Sequence, residues 1–246
     1  MTVERLDVAL VSRSLSTSRS KAAALIKAGK VSVDGRPCLK PSTPVPADAR
    51  IDVAADDGYV SRGAYKLVGA LGHFGPLGLP SPAGLRCLDI GASTGGFTQV
   101  LLRAGVTQVI ALDVGHDQLD SLVADDPRVI EMSGVNIRDV TAGDLPWRPQ
   151  MIVSDVSFIS LTYVIPIIAA IAAPGAQIVL LVKPQFEVGK GHLGKGGIVE
   201  DDGLRQEALS KVTDCAREHG LTVRGHTVSP IEGTHGNVEY LLWLTA

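Results

Sequence analysis

The chain has 246 residues, 45 % hydrophobic and 20 % charged, with a net charge of −3; this excludes a disordered or fibrous protein and suffices for a full α/β domain plus a small appendage. The longest apolar run, residues 164–173, is broken by Pro166 and falls well short of the ~20 residues that span a bilayer. The N-terminus has no basic region followed by an apolar one, so a cytoplasmic protein without membrane contact is expected. Cys38, Cys87, Cys215 and the six histidines fall in no metal-ligand or disulfide spacing, so no metal site is expected and Cys87 reads as a buried small hydrophobe.

In chain order, RLDVALVSR (5–13) places Leu6, Ala9, Leu10 and Arg13 at helical spacing. Ser and Thr at 16–18 can cap a second helix running to about Ala28, with Ala22, Leu25 and Ile26 inward and Gly29 as the stop. VSV, the pair Asp34-Gly35 and RPCL give a hairpin signal. A Pro-rich connection then leads to RIDVA (50–54). Residues 1–40 carry eight Lys or Arg against three acids, whereas the remainder carries 15 against 23. A basic head on an acidic body suggests a polyanionic partner. Candidate phosphate contacts are Arg5, Arg19, Lys21, Lys27, Lys30, Lys40 and Arg62, although for any single lysine among them ordinary solvation is the better reading.

YVSRGAYKLVGALGHF (59–74) reads as an amphipathic helix with Leu67, Leu71 and Phe74 on one stripe. After a Gly/Pro-rich loop (75–84), strands are expected at 86–90, 108–113, 128–132, 150–155, 177–182, 222–228 and 238–244. Helices are expected near 96–104, 117–124, 160–172 and 202–219. Strand alternating with helix predicts a largely parallel, doubly wound sheet. The expected division is a small domain over 1–55, a linker over 56–59 and an α/β domain over 60–246.

In LRCLDIGASTGGFTQVLL a strand ends at Asp89 and breaks into Gly91, Ser93, Thr94, Gly95 and Gly96 before a helix begins at about Phe97. Glycines admit a ligand close to the backbone, and a helix start leaves amides free. Asp113 ends the next strand, where a carboxylate accepts bonds from ribose hydroxyls. Ser93 replaces the middle glycine of a dinucleotide fingerprint. Asp89 would be awkward beside pyrophosphate but favourable beside the cationic end of S-adenosylmethionine, so a methyl donor is favoured over a dinucleotide. Asn136 or Asp139 is the candidate for the adenine end. Gly95 for helix packing alone, and Asp113 as a cap, are the plain alternatives. GKGHLGKGG has the G-x-x-x-x-G-K spacing of a phosphate loop, but Gly196 stands where Ser or Thr would hold magnesium. Lys190 and Lys195 on that loop suit phosphate contact instead, with a mobile solvated loop as the plain alternative.

Asp155 ends one strand and Lys183 the next, where open α/β sheets bind ligands. A ribose hydroxyl must lose its proton before attacking a sulfonium methyl. A free lysine titrates near ~10.4, and burial beside a cation such as Lys66 favours the neutral amine. Lys183 is thus the candidate base, Asp155 its orienting acid, and Glu239 the partner of Lys66. Each also has a plain reading as an ion pair or solvated charge.

RLDVALVSRSLSTSRSKAAALIKAGKVSVDG resembles the signature of the S4-type RNA-binding domain. Following it, VSRGAYKL, LDIGASTGGFT, SDVSFISL, LVKPQFEVGKG and GNVEYLLWL resemble the TlyA family of ribosomal RNA 2′-O-methyltransferases, within the FtsJ-like group, across essentially the entire chain. The resemblance implies a Rossmann-like fold with a seven-stranded, mostly parallel sheet whose last strand is antiparallel. It implies S-adenosylmethionine as cofactor and a Lys-Asp-Lys-Glu tetrad at Lys66, Asp155, Lys183 and Glu239, with a donor loop from Gly91 to Phe97. It further implies methylation of cytidine in ribosomal RNA within ribosomal subunits, with capreomycin-type antibiotic sensitivity as a consequence. The chain stops three residues after Trp243, short of the extension some members carry, which points to the large subunit. A monomer is expected. The competing readings are a noncatalytic RNA-binding assembly factor, a membrane-lysing protein, after the hemolysin label the family also carries, and a dehydrogenase.

Overall fold

The computed structural model describes residues 3–27, 29–53, 57–194, 196–233 and 236–246. It forms two compact units, Met1–Arg62 and Gly63–Ala246.

The first unit runs β1 (Val3–Arg5), α1 (Leu6–Ser12), α2 (Arg19–Lys27), β2 (Val31–Val33), β3 (Arg36–Pro37), β4 (Pro44–Pro46) and β5 (Ile51–Val53). Leu6, Leu10, Ala22, Ile26, Val31 and Val45 form its core, so the helical stripe read from the sequence is the buried one. Ser18 Oγ accepts the Lys21 amide at the start of α2. Gly29, at φ +73°, provides the left-handed stop after it. The hairpin forms as expected, with β2 paired antiparallel to both β3 and β5. The Pro-rich connection, however, is not all loop. β4 pairs antiparallel with β1, Val3 facing Pro46, Glu4 facing Val45 and Arg5 facing Pro44. Prolines are tolerated in a two-stranded sheet because every strand is an edge, and the buried Val45 between them keeps its amide.

The second unit begins with α3 (Ala64–Phe74) and continues β6 (Arg86–Ile90), α4 (Gly96–Arg103), β7 (Gln108–Asp113), α5 (Ser121–Ala124), β8 (Val129–Ser133) and β9 (Met151–Ser154). It is completed by α6 (Ile165–Ile171), β10 (Gln177–Val182), α7 (Pro184–Glu187), α8 (Asp202–Glu218), β11 (Thr222–Val228) and β12 (Tyr240–Thr245). α3 starts five residues later than the hydrophobic pattern suggests, after a turn that ends at Gly63, and its buried stripe is Leu67, Ala70 and Phe74 together with Lys66. The helix expected over 117–124 shrinks to one turn behind Asp120, whose carboxylate accepts the Leu122 amide. The one expected over 160–172 becomes a 3-10 turn followed by α6, with Pro166 in the first turn of α6. A missing N–H costs nothing there.

The seven strands lie in the order β11-β12-β10-β9-β6-β7-β8, with β12 antiparallel to both neighbours and the other pairings parallel. This is the Rossmann-like sheet, with its last strand antiparallel, that the sequence resemblance implies. On one face, Leu88, Ile90, Ile152, Leu180 and Leu242 pack under Ile168 and Val212 of α6 and α8, each such burial contributing about 1.5–3 kcal/mol. Cys87 is fully buried, and burial pushes its thiol up to about 12, as a residue used for packing requires. Chain order reverses across the sheet between β6 and β9, which opens a crevice at their C-terminal ends.

Candidate active site

Strand geometry brings the four charged residues together. Asp155 follows β9 directly, its amide donating to the Ile90 carbonyl of β6, and Lys183 follows β10. Because β12 runs antiparallel, its first residue, Tyr240, lies beside the last residue of β10, Val182. Glu239 therefore arrives at the same edge from the opposite chain direction. Lys66 comes from the first turn of α3.

The result is a chain of alternating charges. Lys183 Nζ lies 2.6 Å from Asp155 Oδ1, Lys66 Nζ 3.6 Å from Asp155 Oδ2, and Lys66 Nζ 2.7 Å from Glu239 Oε2. Burial tends to raise the Asp155 pKa, but the ammonium groups of Lys66 and Lys183 outweigh it and hold the carboxyl below its ordinary value. Asp155 is the most open of the four, its side chain 20 % exposed against 2 % for Glu239. Lys183 Nζ also donates to Ser157 Oγ at 2.8 Å, a partner that the sequence reading missed. Phe158, beside it, is 91 % exposed with φ +65°, an uncommon conformation for a bulky residue. Its ring packs on Phe186 at 5.2 Å between centroids.

Asp155 and Ser157 also line a pocket of about 550 Å³, whose walls include Gly91, Ser93, Asp113 and Asn136. At Gly91, φ +82°, a Cβ would lie 2.8 Å from the Asp155 carbonyl oxygen, so only glycine lets the bend pass so close to β9. Asp113 accepts the amides of Ser93 and Gly115, one on each carboxylate oxygen, both at 2.8 Å. It both fixes the turn and keeps lone pairs for a ligand. The Asn136 side chain caps the turn at 137–139 by accepting the Arg138 amide; Asp139 is exposed and off the pocket wall.

Other expected contacts stand back from this wall. Thr94 is exposed, Gly96 and Phe97 are buried in the start of α4, and a Cβ on Gly95 would meet Val123 and Leu119. Gly95 thus serves packing, the plainer of the two readings. Asp89 is fully buried and accepts from Thr98 Oγ1 at 2.6 Å, its Oδ1 having no hydrogen-bond partner among the described residues. Burial pushes its carboxyl up to about 7. The negative charge that the sequence reading assigned to Asp89 is offered at the wall by Asp155.

In the first unit, Arg5 and Arg19 both bond the carboxylate of buried Asp7, at 2.9 and 3.0 Å. The hydrogen bonds from Arg5, more than those from Arg19, hold that carboxyl well below the usual range against the opposing pull of burial. Lys21, Lys27 and Lys40 are exposed. Lys30 departs from the expectation. It is 6 % exposed and ion-paired to Asp57, so it is folded into the unit instead of facing a phosphate. The Arg62 side chain packs over Gly29. The Lys190 side chain and Lys195 lie outside the described residues.

Residues 59–246 match the FtsJ-like methyltransferase family and residues 4–51 the S4 domain. The 16S/23S rRNA (cytidine-2′-O)-methyltransferase TlyA of Mycobacterium tuberculosis is 48 % identical over 98 % of this chain and 89 % of its own length. The 23S rRNA (cytidine-2′-O)-methyltransferase TlyA of Campylobacter jejuni is 32 % identical over 95 % of this chain and 96 % of its own. A solved Streptococcus thermophilus protein carrying a hemolysin name superposes with a TM-score of 0.77 at 38 % identity, covering 100 % of this chain and 89 % of that one. The chain belongs to the TlyA family of FtsJ-like methyltransferases, with an S4 domain ahead of the methyltransferase domain.

Proposed function

We propose that the protein transfers a methyl group from S-adenosylmethionine to the 2′-hydroxyl of a cytidine in ribosomal RNA. Large-subunit RNA is the primary substrate, being the target common to the names of both TlyA relatives, and small-subunit RNA the secondary one. Capreomycin-type sensitivity of the host follows from the modification. The observation that carries the reading is the Lys183 amine, buried against Asp155 at 2.6 Å at the rim of a pocket with a glycine bend and a ribose-ready carboxylate.

The pocket suits the donor. Asp113 retains acceptor capacity for ribose hydroxyls, Val114, Val135 and Ile137 supply apolar wall for a ring, and the Asp155 carboxylate favours a cationic sulfur. When bound, the donor supplies an electrophilic methyl group. The chain supplies the proton path and the field. Lys183 Nζ would accept the hydroxyl proton as the hydroxyl oxygen bonds the methyl group released from the donor's sulfur, which is left as a neutral thioether. The ammonium so formed lies beside a carboxylate that Lys66 keeps ionised, so the charge develops where a counter-charge already waits. Glu239 holds Lys66 in place. The exposed Phe158 ring beside Ser157 offers a stacking face to a splayed base. Arg5, Arg19, Lys21, Lys27 and Lys40 supply phosphate contacts.

Incubation with isolated ribosomal subunits and methyl-labelled donor tests the reading. Label is expected on cytidine ribose of large-subunit RNA with the native chain and not with Lys183→Ala. No transfer by the native chain, or equal transfer by the variant, overturns it. Calorimetric binding of the donor separates an enzyme from a noncatalytic assembly factor.

A further inference from the structure

The reacting pair sits on two loops, and neither is fixed by the sheet alone. Asp155 opens the loop from β9 to the 3-10 turn at Leu161–Tyr163, and Lys183 opens the short helix α7. At the far end of α7 lies Glu187, 6 % exposed and unused by the chemistry above. Its Oε2 accepts Ser160 Oγ at 2.5 Å and its Oε1 accepts the Leu161 amide at 2.8 Å. Both donors belong to the Asp155 loop. From α8, Lys211 Nζ donates to the Glu187 carbonyl at 2.9 Å and lies 3.6 Å from Oε2. One buried carboxylate thus spans the two loops that carry the acid and the amine, and α8 braces it from outside.

We propose that Glu187 is a positioning residue that clasps the Asp155 loop to the Lys183 loop and so sets the amine, Ser157 and Asp155 in register for proton removal. The clasp lies at the loops' far ends, and the Phe158–Phe186 contact and the Lys183–Ser157 bond lie nearer the amine. Without Glu187 the Leu161 amide loses its acceptor and Ser160 Oγ keeps only its bond with Thr162 Oγ1 at 2.8 Å, and a buried amide without a partner relaxes toward water. The Asp155 loop then shifts relative to α7, and displacements of about 1 Å at a reacting centre cost up to ~100-fold in rate. The donor pocket is walled by residues of β6 and β7, by residues 135–138 and by Asp155 to Ile159 of that loop; its Asp113 and Gly91 contacts are held outside the loop, so donor affinity changes less than kcat.

This inference rests on the methyltransferase reading, and the test separates the two. The native chain, Glu187→Ala, Glu187→Gln and Ser160→Ala are compared for kcat and KM on ribosomal subunits, donor Kd by calorimetry and thermal unfolding. Glu187→Ala is expected to lower kcat about 10- to 100-fold with KM and donor Kd within about twofold. Glu187→Gln is expected to recover kcat to within about threefold of native, because an amide still accepts from Leu161 and donates to Ser160. Ser160→Ala, which keeps the Leu161 bond, falls between. In the background of Ser157→Ala the effect of Glu187→Ala shrinks, as expected of residues acting through one another. A native chain without transfer removes the enzyme reading and this inference with it. Native transfer with kcat unchanged in Glu187→Ala overturns the clasp alone, as does a loss matched by donor Kd. Should Glu187→Ala fail to fold, Ser160→Ala at native kcat overturns it.

Discussion

Both units bury one carboxylate against two cations, and they do opposite things with the arrangement. In the S4 unit Asp7 grips Arg5 and Arg19, whose side chains remain 53 % and 63 % exposed. In the methyltransferase unit Asp155 meets Lys66 and Lys183, whose side chains are only 7 % and 9 % exposed. The first device anchors guanidinium groups at one end and presents the rest to solvent, which suits a polyanion. The second withdraws the ammonium groups from water and sets them against the carboxylate at the pocket wall. The choice of residue matches the chemistry, since guanidinium is a fixed charge with a planar fork, while an amine is a charge that can be given up.

The largest break in that contrast is expected from Lys183→Ala, which should lower methyl transfer by about 10²- to 10⁴-fold, the usual worth of a general base, with RNA affinity measured by anisotropy unchanged. Asp7→Asn should do the reverse, weakening RNA binding about fivefold by freeing two arginines that were held in place while leaving kcat on saturating substrate intact. A third expectation compares Asp89 with Asp155. The Asp155 carboxyl is depressed, so its stabilising contribution is present above the unfolded carboxylate range near pH ~4 and fades as pH drops through the folded value. Asp89 is raised to about 7, so its contribution is complete below pH ~4 and is lost as pH climbs through ~7, on the order of 4 kcal/mol at ~1.4 kcal/mol per unit. Urea unfolding of Asp89→Asn and native protein at pH 4.5 and 7.5 should therefore show the variant gaining ground at the higher pH; a constant gap contradicts the assignment. The smallest effect concerns single lysines. Lys21→Ala should flatten the salt dependence of RNA binding by about one unit of log–log slope, whereas Lys30→Ala should leave the slope alone and lower the unfolding temperature.

The sheet was readable because most of its strands are apolar runs of four to six residues followed closely by Asp, Gly or Pro, and because Asp155 and Lys183 fall at the ends of two such runs. Helix ends were less so: 117–124 and 160–172 keep their apolar residues, but Asp120 and Pro166 decide where the turns begin. The β1–β4 pairing hid behind two prolines. Lys30 reads as any exposed lysine in a basic stretch, since its partner Asp57 lies on a distant segment. Ser157 and Glu187 are ordinary polar letters in a row, and their meaning comes from which loop lies opposite. Asp89 shows the converse limit, for a position next to a glycine bend does not say that the carboxylate turns to Thr98.

The antiparallel course of β12 has a consequence for assembly. The donor pocket is complete within residues 90–159, but the tetrad needs partners at both 66 and 239, so it closes only when the last strand slides between β10 and β11. A chain deprived of that strand would keep the glycine bend and the pocket wall but not the four-charge cluster, because Glu239 reaches Lys66 only from the edge of β12.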